Sequence, residues 1–435
     1  MIRIPQLSET LALRTAVIFS ALALIISWFP SCSPVRDEHG RDIAELQSVI
    51  EFMACDSLEG RGTGTEGETK AAAYVASRFE ELGLKPYGDS SSFFQAFSFR
   101  PHPPIQRHGS GDSTSIGMAL VQNLTGNNVI GMLDNGASET IIIGAHHDHL
   151  GLGDENSLFI GDSEIHNGAD DNASGVSALI LLAQRLSAQP LNYNVLFMSF
   201  SGEEKGLYGS NHFVDNPTID LNTVNYMINM DMVGRMKEDS SLAVYGTGTS
   251  PVWNDLVNQV NIDGLALVFH ESGVGPSDHT SFYLADMPVL HFFTGQHEDY
   301  HKPTDDPEKI NYEGILMVAD FIERIVLELD DEVKLEFTKT KDQSKNDSPR
   351  FNVTLGVVPD YMFDGEGMRI DGVSEDRPAF NAGIIKGDVV TQMGDHAVTD
   401  MNTYMEGLGI FEEGDTTVVK VLREGTEKSF DVIWD

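Results

Sequence analysis

The chain has 435 residues, with 28 Lys+Arg against 67 Asp+Glu, a formal net charge of −39 and only two cysteines. An acid surplus of this size repels phosphate backbones and anionic headgroups, which speaks against nucleic-acid and polybasic membrane binding; two thiols cannot build a disulfide framework. With 41% apolar residues the chain can bury a sizeable core rather than stay disordered, and at about 150 residues per domain it accommodates two or three domains.

In chain order, residues 1–32 read as an export signal. Arg3 and Arg14 precede an uncharged run of 15 residues from Thr15 to Phe29, shorter than the roughly 20 that a spanning helix needs. Cys32 stands where a lipoprotein signal peptidase leaves a lipidated cysteine. The expectation is therefore an exported protein, either a periplasmic, outer-membrane or cell-surface lipoprotein with a lipid anchor at Cys32 or a secreted one, with a retained membrane anchor as the alternative. Once the leader is removed, Cys55 is the remaining thiol.

Apolar residues at Ile43, Leu46, Val49, Ile50 and Met53 follow a helical period over 42–54. A second helical period covers 65–82, with Thr65 and Glu68 at capping-box spacing and Gly83 as its stop. After a Pro- and Ser-rich stretch at 86–115 come strand-like runs at 140–145, 194–200, 224–230 and 287–293, with helical patterns at 174–187, 251–260 and 308–329. Strands that are apolar on both faces and alternate with helices predict an α/β fold: a mixed, mostly parallel sheet covered by helices on both faces, with ligands at the carboxyl ends of its strands. This catalytic domain is expected at 40–330. Residues 331–350 are poor in apolar groups and read as a linker. Residues 351–435 carry short strand-like runs and helix-like segments near 379–383 and 401–408, a small β-rich domain.

Five clusters carry candidate chemistry. An aliphatic strand runs into His146-His147-Asp148-His149, where His146 and Asp148 fall on the same side of an extended chain. Asp148 can then support the His146 imidazole while that ring binds metal. Asp170-Asp171-Asn172 precedes a helix and is either an N-cap or a pair of acids with a cation between them. Asn172-Ala173-Ser174 matches a glycosylation sequon, discounted because it falls inside the candidate site. Glu203 and Glu204 follow the second strand-like run and could divide metal binding from general-base work. Asp231 lies among apolar residues and needs a partner, a metal or Arg235. The fifth cluster runs from His297 to Asp306 and includes Tyr300 and His301, with 277–280 shortly before it. One ligand from each cluster gives His146, Asp171, Glu204, Asp231 and His301. Two imidazoles and three carboxylates, without thiolate, suit catalytic zinc.

With these motifs in this order, residues 43–325 resemble the two-zinc aminopeptidases, whose relatives include glutamate carboxypeptidases, transferrin-receptor-like proteins and glutaminyl cyclases. The resemblance implies two Zn2+ per chain: His146 and Asp231 on one ion, Glu204 and His301 on the other, and Asp171 bridging both. It also implies a cis Asp171–Asn172 peptide, Glu203 as the general base for a zinc-activated water, Asp148 as the support of His146, and Tyr300 polarising the substrate carbonyl. The implied activity is hydrolysis of N-terminal residues from peptides. A glutaminyl cyclase or carboxypeptidase on the same scaffold is the alternative. An inactive peptide-binding scaffold is the alternative of another class, and the intact ligand set with Glu203 speaks against it. Residues 351–435 resemble a PDZ domain of the bacterial protease-associated type. Leu355, Gly356 and Val357 would form its carboxylate-binding loop, with protein C-termini as partners.

Overall fold

The computed structural model describes residues 38–100, 123–153, 156–159, 161–330, 334–340, 353–360, 363, 365–373 and 377–434. The export signal, Cys32, prolines 101, 103 and 104, and residues 341–350 lie outside them. Among the described residues no helix is long and apolar enough to cross a membrane.

The first helices, α1 (Glu38–Met53) and α2 (Glu66–Glu81), bury the apolar stripes that their periodicity predicts, with Leu46, Val49, Ile50, Val75 and Phe79 fully enclosed. Only half of the expected capping box forms at α2. Thr65 accepts the Glu68 N–H at 3.3 Å, but the Glu68 carboxylate is fully buried and lies 3.3 Å from His147 Nε2 instead of turning back to Thr65. The Thr65 N–H donates to the Gly62 carbonyl. A buried acid is drawn to an imidazole partner rather than to a backbone donor that already has an acceptor.

The strands that follow are β1 (Lys85–Pro86), β2 (Phe94–Phe99), β3 (Leu124–Leu133), β4 (Thr140–His146), β5 (Asn194–Phe200), β6 (Val224–Met230), β7 (Ser241–Tyr245), β8 (Ala266–His270) and β9 (Val289–Phe293). They form one nine-stranded sheet in the order β1-β3-β5-β4-β6-β9-β7-β8, with β2 paired to β3. The centre, β5-β4-β6-β9, is parallel, while β3 against β5 and β7 against β9 are antiparallel. Alternate residues explain why these strands read as unbroken apolar runs. Ile141, Ile143, Val195, Phe197, Tyr226 and Ile228 enter a core with α1, α2 and the helices α3 (Gly175–Leu186), α5 (Trp253–Val260) and α7 (Tyr312–Glu328). Ile142, Leu196, Met198 and Met227 face a second core with Phe213 of α4 (Tyr208–Asp215) and Phe282 of α6 (His279–Leu284). Both faces are covered, so both strand faces must be apolar.

The last helix is shorter than its 308–329 pattern. Pro307 opens a separate 3-10 turn, and α7 starts only at Tyr312, where the Asn311 side chain accepts the Gly314 N–H at 3.0 Å. Residues 334–340 run along the same domain: Leu335 N–H donates to Asn225 Oδ1 at 2.8 Å, and the Thr340 and Tyr283 hydroxyls are 2.7 Å apart.

The C-terminal domain is a six-stranded antiparallel sheet, β10 (Val357–Pro359), β11 (Met368–Val373), β12 (Val389–Met393), β13 (His396–Ala397), β14 (Thr416–Arg423) and β15 (Thr426–Ile433), with short helices α8 (Pro378–Ala382) and α9 (Met401–Leu408). Its own core includes Leu355, Ile370, Val390, Val421 and Trp434. Asp388 is fully buried beneath it and held by Arg423, with Nε–Oδ1 and Nη2–Oδ2 both at 2.7 Å. Arg423→Gln leaves that carboxylate without its cation. It is expected to destabilise this domain by about 2–3 kcal/mol, below the usual cost for a buried pair because Arg423 is partly wetted. Faster hydrogen–deuterium exchange across β12 and β14 would register the loss; unchanged exchange would contradict it.

Candidate metal centre and active site

The candidate residues converge at the carboxyl ends of the parallel strands. His146 is the last residue of β4, Glu203 and Glu204 follow β5, Asp231 follows β6, and His301 lies in the loop after β9. β4 and β5 pair with His146 opposite Phe200, which brings the first two strand ends level. Asp171 sits in the turn that enters α3, and the Asp171–Asn172 peptide is cis, as the family resemblance implies.

His146 Nε2 lies 3.4 Å from Asp171 Oδ1 and 3.3 Å from Asp231 Oδ1. His301 Nε2 lies 3.3 Å from Asp171 Oδ2 and 3.4 Å from Glu204 Oε2. The two oxygens of Asp171 thus face two different imidazoles. Each of these rings is oriented from behind: His146 Nδ1 is 3.2 Å from the Asp148 carbonyl and His301 Nδ1 2.8 Å from the Asn156 carbonyl. An N–H donated to a carbonyl leaves Nε2 as a bare lone pair directed at the carboxylates. His301 also holds φ at 55°, a left-handed conformation that non-glycine residues enter at a cost.

Asp148 supports His146 through its main-chain oxygen, since its carboxylate Oδ1 is 3.8 Å from Nδ1. The carboxylate is used elsewhere, accepting the Thr63 hydroxyl at 2.7 Å and the Glu203 N–H at 3.2 Å. The expected alternative partner of Asp231, Arg235, is not used: it pairs with Asp299 at 3.1 Å. Asn172 is fully buried, with its amide donating to the Met230 carbonyl and accepting from Gly175 and Met232, so its sequon is spent on the turn.

The donor set and its electrostatics fit metal ions. Two groups, His146–Asp171–Asp231 and His149–Asp171–Glu204, bring one donor atom from each residue within 4.8 Å of the others. His146 Nε2 and Asp231 Oδ1 are buried without a hydrogen bond, the arrangement expected of atoms that await a cation. Burial opposes charging His146 and His301, but the surrounding carboxylates outweigh it: Asp231, Glu203 and Asp171 hold His146 well above its ordinary range, and Glu204 with Asp171 raises His301 to about 9. The cluster therefore demands positive charge. Burial pushes the Glu203 carboxyl well above its usual range, with His146 opposing.

A pocket opens onto these groups, with Glu203, Met232, Phe293, Gln296 and Tyr300 on its walls. Tyr300 stacks on His301 with ring centroids 3.8 Å apart.

Residues 128–326 match the model of Peptidase family M28, and residues 333–433 match that of a PDZ domain. Residues 128–326 belong to peptidase family M28. The chain is 31% identical over 176 residues to aminopeptidase YwaD of Bacillus subtilis, which covers 37% of each protein. It is 28% identical over 246 residues to a probable lipoprotein aminopeptidase, LpqL, of Mycobacterium tuberculosis, covering 51% of this chain and 46% of that one. The chain thus spans less than half the length of these curated relatives. The M28 fold is similar to that of the zinc aminopeptidase BSAP from Bacillus subtilis, with a TM-score of 0.52 at 20% identity over 68% of this chain and 95% of that one. It is also similar to Porphyromonas gingivalis glutaminyl cyclase, with a TM-score of 0.52 at 16% identity over 66% and 98%. At these identities the likeness is one of fold.

Three residues that shape the M28 site have partners that no local pattern in the sequence announces. Arg61, fully buried, donates from Nε to the His147 carbonyl at 2.8 Å and from its terminal nitrogens to the carbonyls of Met53, Asn167 and Gly168. Asp305 accepts the N–H groups of Asp170 and Asp171 at 2.9 and 3.1 Å on one carboxylate oxygen, fixing the turn that carries Asp171. His149 lies 2.7 Å from Glu204 Oε1 through its Nδ1. All three work across long sequence separations.

In the PDZ domain, Leu355 is buried and its carbonyl accepts the Ala379 N–H at 2.9 Å. Gly356 holds φ at 72°, and a Cβ there would meet Arg377 Cβ at 2.1 Å, so this position requires glycine. The Gly356 N–H donates to Thr354 Oγ1 at 3.0 Å, a bond that a bound carboxylate would have to exchange. Val357 begins β10 and pairs with Val373.

Proposed function

We propose that the protein is an exported, zinc-dependent aminopeptidase that holds two Zn2+ around Asp171 and releases N-terminal residues from peptides. The observation that carries this reading is the division of Asp171, with Oδ1 3.4 Å from His146 Nε2 and Oδ2 3.3 Å from His301 Nε2. His146 and Asp231 would hold one ion, Glu204 and His301 the other. Bound zinc would supply Lewis acidity toward the scissile carbonyl and acidify a water between the ligands.

The remaining work falls to the chain's own groups. The Glu203 carboxylate takes a proton from the attacking water and later delivers it to the leaving amine; burial raises its proton affinity, with His146 opposing. Tyr300, on the pocket wall beside His301, polarises the substrate carbonyl as negative charge develops. Asp148 ties ligand to base, with its main-chain oxygen on His146 and its carboxylate on the Glu203 N–H. Residues 355–357 of the PDZ domain would receive protein C-termini, and the N-terminal leader with Cys32 would place the enzyme outside the cytoplasm.

The test is incubation of purified protein with aminoacyl-chromophore substrates and, separately, with N-terminal glutaminyl peptides, with and without chelator. Chelation is expected to abolish amine release and added zinc to restore it. Chelator-resistant release would refute the metal reading, and cyclisation of glutaminyl peptides without hydrolysis would favour a glutaminyl cyclase on the same scaffold.

A further inference from the structure

Three imidazoles surround the carboxylates of the site, and they are not equivalent. His146 and His301 each give Nδ1 to a main-chain carbonyl and present Nε2 to Asp171. His149 is reversed. Its Nδ1 faces Glu204 Oε1 at 2.7 Å and Asp171 Oδ2 at 3.9 Å, while its Nε2 is buried without a hydrogen-bond partner. The ring is fully enclosed in a slot that exists because residue 168 is glycine, where a Cβ would come within 2.5 Å of His149 Cδ2.

The proton inventory of an imidazole decides between two roles. A metal bound at Nδ1 would force the single proton onto Nε2, leaving a buried N–H donor with nothing to accept it. With the proton on Nδ1, His149 donates to an acceptor-only carboxylate, and Nε2 keeps only a lone pair. The 2.7 Å separation is that of a charge-assisted hydrogen bond. The carboxylate is then divided: Oε1 is held by His149, and Oε2 remains 3.4 Å from His301 Nε2.

We propose that His149 is a positioning residue for Glu204, holding Oε1 so that Oε2 alone serves the metal position shared with His301 and Asp171. This rests on the two-zinc reading above. Supports of this kind, which orient a ligand without touching the ion, change metal affinity by about 10- to 100-fold when removed. The effect should fall on one ion of the two, because His149 has no contact of this kind with Asp231 or His146.

Full-length protein stripped of metal and titrated with Zn2+ in a calorimeter tests this without any substrate. Wild type is expected to bind two equivalents. His149→Leu should bind the first equivalent normally and the second about 10- to 100-fold more weakly. His149→Asn, whose side-chain N–H can stand where Nδ1–H stood, should recover most of that loss. Normal first-site binding and an unchanged circular dichroism spectrum in both variants exclude misfolding as the cause. Two wild-type-like equivalents in His149→Leu would overturn the proposal. So would loss of a whole equivalent in both variants, which would make His149 a ligand. Fewer than two equivalents in the wild type would instead remove the two-zinc reading itself, along with this one.

Discussion

Glu203→Gln is expected to lower kcat for aminoacyl-substrate hydrolysis by about 10²- to 10⁴-fold, the range for loss of a general acid–base, while zinc content stays at the wild-type value. The amide is nearly isosteric and can still accept from neighbours, but it cannot take a proton from water at neutral pH. Glu203 is also not among the residues that cluster into candidate metal groups, so its loss should separate chemistry from metal binding. By contrast, Asp171→Asn should deplete both ions together, because Asp171 is the residue common to the two groups. Retention of wild-type kcat by Glu203→Gln, measured with metal content determined on the same sample, would contradict the role given to this residue.

Arg61→Met is expected to destabilise the protein by about 3–5 kcal/mol, the cost of removing one side of a buried charge arrangement. Its guanidinium serves four carbonyls, those of Met53, His147, Asn167 and Gly168. Burial lowers its pKa to about 10, with Asp171, Asp148 and Asp305 opposing, so it remains a cation at neutral pH. The carbonyls belong to the end of α1, the strand end that carries His146 and Asp148, and the loop that leads to Asp171. One side chain thus clamps the two segments that deliver these groups. Arg61→Lys should recover only part of the loss, since an ammonium has three donors and no planar fork. The urea midpoint at constant m-value reads the difference; a change below about 0.5 kcal/mol, the scale of ordinary surface substitutions, would show that the clamp is dispensable.

The elements buried on both faces were legible because their composition alone dictates them: Ile141, Ile142 and Ile143 admit no wet face, and the strands at 140–146, 194–200 and 224–230 follow. β3 escaped because residues 125–128 in its first half are polar or small. Asn128 is nevertheless fully buried, satisfied by Gln95 Oε1 at 3.1 Å and the Gly209 carbonyl at 2.8 Å, partners that no local pattern announces. β7 and β8 are five residues each and lie beyond the parallel centre, too short to stand out from loop. In the site, candidate ligands at strand ends were legible because a polar group placed directly after an aliphatic run has few ordinary explanations. The residues that hold them, Arg61, Thr63, His149 and Asp305, bind through backbone and side-chain atoms distant in sequence, and a single Arg between two glycines or a third His within four residues gives no sign of its partner. Asp148 shows the limit within one such motif: spacing put it beside His146, but only the fold assigned the contact to its main-chain oxygen and freed its carboxylate for Thr63 and Glu203.

The most direct measurement is product analysis by mass spectrometry of one peptide in two forms, with a free and with an acetylated N-terminus, incubated with the zinc-loaded protein. A two-metal aminopeptidase centred on Asp171 predicts stepwise loss of N-terminal residues from the free peptide and none from the acetylated one, with both reactions silent after chelation. Cleavage of the acetylated peptide, trimming from the C-terminus, or hydrolysis that persists in chelator would contradict it.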